Sequence, residues 1–193
     1  MAIGLAGVGG GLLLMTGLRP DSGWTALLPG FVVAGVGVGL LNPVIADVAV
    51  SVVSNDRSGM AAGINDTFRQ VGIAVGVAAW GAIFLGRGAA KISALTAGTP
   101  TAAGVHPRAL IEAASGGHLG AVVAGLPHGT RAVVASASRD GFLSGLNTIL
   151  LIGGLVAIAG AVIALWWVRE SEIERGRPEP IGLPTAELDA LAA

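Results

Sequence analysis

Five polar side chains stand inside an apolar stretch. Gly59 to Gly86 reads GMAAGINDTFRQVGIAVGVAAWGAIFLG, and its first third carries Asn65, Asp66, Thr67, Arg69 and Gln70. A helix crosses a bilayer with about 20 residues, so this stretch is long enough to span. Ionisable groups in hydrocarbon are expensive unless they face protein or water, and they mark paths for ions or polar substrates. Asp66 and Arg69 are i,i+3 neighbours on one helix face, and Asp66 and Gln70 are i,i+4. One arginine there can neutralise one or both of two carboxylates, because Asp47 on the preceding span reflects about the loop of residues 54–58 to the depth of Asp66. Arg69 lies about 4.5 Å deeper than Asp66. Asn42-Pro43 interrupts the preceding span; a proline kink beside a polar side chain either lines a cavity or is a tolerated kink in which Asn42 bonds a neighbouring helix. The candidate cavity-lining residues for transport are therefore Asp66, Arg69, Gln70, Asn65, Asp47 and Asn42. The competing reading is a static pair that fixes helix packing. It is the weaker one, because apolar residues replace such a pair at little cost.

The elements that must hold these residues follow from composition. Only 12% of the 193 residues are charged and 53% are hydrophobic, with a mean hydropathy of +0.77. Soluble domains carry about 25% charged residues. Charge-free runs cover residues 1–18, 22–46, 70–86 and 141–168. We expect an all-α integral membrane bundle of four transmembrane helices, at about 1–18, 24–53 and 59–86 within residues 1–86, and then in the last part of a long helix over 129–170. Between them, residues 87–128 read as a loop with short helices at 107–114 and 116–125. Residues 171–193 read as a polar tail. Gly7 and Gly11, and then Gly35, Gly37 and Gly39, read as smooth helix-packing faces rather than phosphate loops, since no strand precedes them and no Lys-Ser/Thr follows.

The residues Arg57, Gly59, Ala62, Gly63, Asn65, Arg69, Gln70, Gly72 and Gly76 form R-x-G-x-x-A-G-x-N-x-x-x-R-Q-x-G-x-x-x-G. This pattern resembles the penultimate-helix signature of the fourteen-helix drug:proton antiporters of the major facilitator superfamily, the EmrB/QacA-like branch. The resemblance runs from about residue 1 to residue 170, as the last four spans of that fold. It implies the carboxy-terminal portion of a proton-coupled multidrug or small-molecule efflux protein in the bacterial inner membrane. Its partners would be the lipid bilayer, a missing amino-terminal transporter half, a small-molecule substrate and protons. It also places residues 87–128 outside the cytoplasm and the tail inside, where the Arg and Lys counts alone favour neither orientation.

Other classes find little support. A net charge of −1 lacks the basic patch that a nucleic-acid partner requires. Without cysteine there is no thiolate metal site, and His106, His118 and His128 lack a ligand pattern, so neither metal nor cofactor is expected. No Ser-His-Asp or G-x-S-x-G arrangement is present, and no enzymatic activity is expected. The alternative function is a non-transporting four-helix membrane scaffold or regulatory subunit.

Overall fold

A computed structural model describes residues 1–51, 57–98 and 106–167, with the side chains of residues 45–51 and 167 left out. Among the described residues every regular element is helical: α1 Ala2–Leu14, a single 3-10 turn Trp24–Leu27, α2 Leu28–Ser51, α3 Ser58–Thr96, α4 Pro107–Ser115, α5 Leu119–Ala124 and α6 His128–Trp167. Three helices are long and apolar enough to cross a membrane, over Trp24–Val44, Ser58–Thr96 and His128–Trp166. The fourth predicted span is not among them. Helix α1 has 13 residues, about 20 Å at 1.5 Å per residue, against a hydrocarbon core of about 30 Å.

Helix α3 differs most from expectation. It has 39 residues and continues ten past Gly86. The charges at Arg87 and Lys91 end the apolar run but not the helix, because Arg, Lys and Ala are all good helix formers. The chain leaves the helix only after Ala97, at Gly98, whose φ of +74° suits a residue without a β-carbon. Helix α4 ends with the same device in fuller form. Gly117 has φ +74°, and the N–H groups of Gly117 and His118 donate back to the carbonyls of Ala114 and Ala113.

Helix α1 packs against both α2 and α6, while α3 packs against α6. Helices α2 and α3, consecutive in the chain, touch each other, though neither is the other's main partner. The main partner of α2 is α1, and that of α3 is α6. The reason is backbone approach. A β-carbon on Gly11 would lie 2.5 Å from the Ala34 nitrogen, and one on Gly37 would lie 2.6 Å from the Val8 nitrogen. The α1–α2 contact is thus made of main chain, as the smooth faces of Gly7, Gly11 and Gly37 predicted. Gly35 and Gly39 take no part; no described atom lies within 4 Å of where their β-carbons would be.

The tightest packing lies in the stretch read as a loop. Ile92, Leu110, Ile111 and Val134 are buried together, with Phe84, Leu85, Leu119, Val123, Leu126 and Phe142 against them. The Phe84 and Phe142 rings meet edge to face, 5.3 Å between centroids. Helices α3 and α6 cross there so closely that a β-carbon on Gly141 would sit 2.8 Å from the Gly88 carbonyl oxygen. The buried hydroxyls of Thr96 and Ser138 donate to the Ile92 and Val134 carbonyls of their own helices, so neither is left unsatisfied. The end of α3, α4, α5 and the start of α6 therefore form a packed cap.

Candidate transport site

The first half of α3 positions four of the six candidate residues. At 3.6 residues per turn, Asn65, Asp66, Arg69 and Gln70 fall within an arc of roughly 140°. Met60, Gly63, Ile64, Thr67 and Phe68 occupy the opposite side and line a shallow groove of about 390 Å³. Within the polar arc the structure joins Asp66 to Arg69. The guanidinium Nη2 donates to Asp66 Oδ1 at 2.5 Å and Nε donates to the same oxygen at 3.2 Å. Both ends of that single acceptor geometry stay on one helix, so the pair forms whatever α3 packs against. Thr67 is tied to its own helix, donating to the Gly63 carbonyl at 2.8 Å.

The site is open. The Asp66 and Arg69 side chains are each 56% exposed, and Gln70 is exposed as well. A cavity-lining Arg69 would be shielded by neighbouring helices. Among the described side chains its compensating charge is Asp66, on the outer surface of the described helices. Asn42 is exposed on α2 and has no side-chain bond to the α3 residues. The Asp47 side chain lies outside the described residues. Phe68 is 74% exposed, on the side away from the ion pair. What the arrangement offers is a charged, hydrogen-bonding face of one span with an apolar groove behind it. Such a face can hold a charge or pass one along, provided that something shields it from lipid.

Sequence reading missed one polar residue that organises the bundle. Asn147 of α6 accepts from the Leu18 N–H at 3.0 Å and donates to the Leu18 carbonyl at 2.9 Å. This two-way amide clamp fastens the turn after α1 onto α6. Its signal was legible: Asn147 is a polar side chain inside the charge-free run 141–168. The histidines each stand at a helix start, His106 and His118 as the residues before α4 and α5 and His128 as the first of α6. Among the described residues no group of His, Asp and Glu could hold a metal ion.

Comparison with known proteins adds a direction. The chain is 29% identical over 163 residues to the multidrug efflux pump LfrA of Mycolicibacterium smegmatis, covering 84% of this chain and 31% of the pump. It is 26% identical over 189 residues to the tetracenomycin C resistance and export protein of Streptomyces glaucescens, covering 96% of this chain and 35% of that protein. Over 60 residues it is 38% identical to a probable actinorhodin transporter of Streptomyces coelicolor, 31% of this chain and 10% of the transporter. This chain is similar to export proteins. It spans about a third of the length of the two relatives it matches most extensively. No family model matches it, and no solved structure does. Its apolar helices and these relatives together make it a multi-pass membrane protein.

Proposed function

We propose that this chain works as the carboxy-terminal membrane portion of a small-molecule efflux transporter of the major facilitator type, in the fourteen-helix drug:proton antiporter branch. The observation that carries the reading is similarity to an efflux pump over 84% of the chain, joined to an Asp66–Arg69 pair within a helix long enough to span. The bare face of α3 supports it, since a charged face in a membrane needs a protein or water neighbour. That neighbour would be the remaining two-thirds of a transporter, rocking against this bundle to open one side and then the other. Asp66 and Arg69 would then line the path, Asn65 and Gln70 would hydrogen-bond within it, and protons would drive the exchange. Asn42 and Asp47 of α2 would complete the polar lining. The substrates would be cationic or amphipathic molecules, and the site of action the bacterial cell membrane.

The test is a chimera in which this chain replaces the matching segment of LfrA, expressed in cells stripped of their own efflux pumps. Drug resistance and acidification-dependent drug efflux should be restored, and Arg69→Ala should abolish both while leaving the amount of inserted protein unchanged. Arg69→Lys should recover only part, because an ammonium does not reproduce a planar fork of donors. A chimera that inserts normally and transports equally well with Arg69→Ala would show that the ion pair is ordinary packing.

A further inference from the structure

The cap end of the molecule holds a second polar feature, separate from the α3 site. A cavity of about 310 Å³ opens between the turn after α1 and the cap, lined by Arg19, Pro20, Ser22, Ala114, Leu119, Arg139, Phe142 and Leu143. Two arginines from different elements and the Ser22 hydroxyl meet a wall that is otherwise apolar. Neither arginine has a carboxylate within ion-pair distance among the described residues, where the sole ion pair is Asp66–Arg69. The cavity is held open by bonds on both sides. The Asn147 clamp fixes Leu18, the neighbour of Arg19. The turn itself is closed by the Arg19 N–H donating to the Ser22 hydroxyl at 3.1 Å and the Ser22 N–H donating to the Arg19 carbonyl at 3.0 Å. On the other side, Phe142 is anchored by its edge-to-face contact with Phe84.

Its place along the bundle matters as much as its lining. Arg19 directly follows the charge-free run 1–18, and Arg139 stands two residues before the run 141–168. Arg19 thus follows the apolar run of α1, and Arg139 stands on α6 just before its charge-free part, the level a lipid headgroup would take if that part of α6 crosses the membrane. The same end is positively charged: residues 19–23 and 87–140 hold six Arg and Lys against three Asp and Glu. Arginine forks match phosphate oxygens two at a time, whichever leaflet supplies the phosphate. Cavities that hold small ligands start at about 300 Å³ and are mostly apolar with a few placed polar groups.

We infer that this cavity is a binding site for the phosphate of an anionic membrane lipid, with Arg19 and Arg139 on the phosphate oxygens, the Ser22 hydroxyl at the rim, and Phe142 and Leu143 against the glycerol and upper acyl carbons. The apolar wall favours a lipid over free phosphate, which would leave Phe142 and Leu143 unmatched. The inference is independent of transport, since it uses no residue of the α3 face.

The test is titration of the purified full chain in detergent with phosphatidylglycerol, phosphatidylcholine and inorganic phosphate, read by native mass spectrometry. Phosphatidylglycerol should bind at least tenfold more tightly than phosphatidylcholine. The double variant Arg19→Gln/Arg139→Gln should lose that tenfold preference at unchanged helicity by circular dichroism. Arg19→Lys/Arg139→Lys should stay within threefold of the parent, and Arg57→Gln, outside the cavity, should bind as the parent does. If the double glutamine variant loses helicity, Arg139→Gln alone is read on the same scale. Equal binding of both lipids, or preference that survives loss of the arginines, would overturn the site. Displacement of phosphatidylglycerol by millimolar inorganic phosphate would overturn the lipid assignment in favour of a soluble anion.

Discussion

One helix contains both extremes of this molecule. The last turns of α3 hold Gly88, Ile92 and Thr96, all buried. Its apolar membrane-length window, by contrast, has no buried residue. The glycines make the contrast concrete. A β-carbon on Gly88 would strike the Ile111 side chain at 2.6 Å, whereas Gly59, Gly63, Gly72 and Gly76 have no described atom within 4 Å. Glycine at the cap end permits a contact that exists. Glycine at the motif end permits a contact that these residues do not themselves supply. The packed end stabilises the described fold, and the open end carries the residues of the proposed function.

Substitutions can break or sharpen that division. The largest effect should come from Ile111→Ala in the cap, where a fully buried side chain is cut back. A loss of about 2–5 kcal/mol is expected, measured as a fall in the denaturation midpoint in detergent. An equally large loss from Phe68→Ala at the open end would erase the contrast. Asn147→Leu should come next. It strands the N–H and carbonyl of Leu18, at a cost of about 2 kcal/mol, and hydrogen exchange should quicken at Leu18 and the following turn while the cap stays protected. Gly63→Leu should stabilise the isolated chain by about 1 kcal/mol, because leucine favours helix and nothing described stands in its way. In the LfrA chimera the same change should disrupt assembly or efflux; if it leaves both intact, the motif face is not an interface. Arg69→Ala should move the stability of the isolated chain least, by about 0.5 kcal/mol, as for an exposed i,i+3 pair. Efflux by the chimera should nonetheless fall to background.

Much of this was readable before any coordinates. The helices of the described residues followed from charge-free runs, and the Asp66–Arg69 pair from i,i+3 spacing, because both depend on local geometry. The α1–α2 contact was visible in Gly7, Gly11 and Gly37 for the same reason. What escaped depended on distant partners. Apolar-run length ended α3 at Arg87, but Ile92 is held in the helix by Ile111 and Val134, far along the chain. Gly35 and Gly39 looked like Gly37, yet only Gly37 meets α1. Chain order alone pointed from α3 to α2, whereas the more extensive contact of α3 is with α6. Asn147 stood out as a polar residue in an apolar run, but its partner did not, because Leu18 lies 129 residues away in the chain.

The length of α3 has a mechanical consequence. Thirty-nine residues without a proline make a rod of about 58 Å, roughly twice the hydrocarbon thickness. Helix α6, 40 residues long, is another, and the cap bolts the two together at one end. If the two tilt together, the pair is a lever. From residue 72 to the tip at Thr96 is about 36 Å, so a tilt of about 5° around residue 72 swings the tip by about 3 Å. The chain has no cysteine, so spin labels at single introduced cysteines on exposed cap positions would read that swing directly. The cap would thus amplify, at a reachable surface, movements that are under an ångström within a few residues of the pivot.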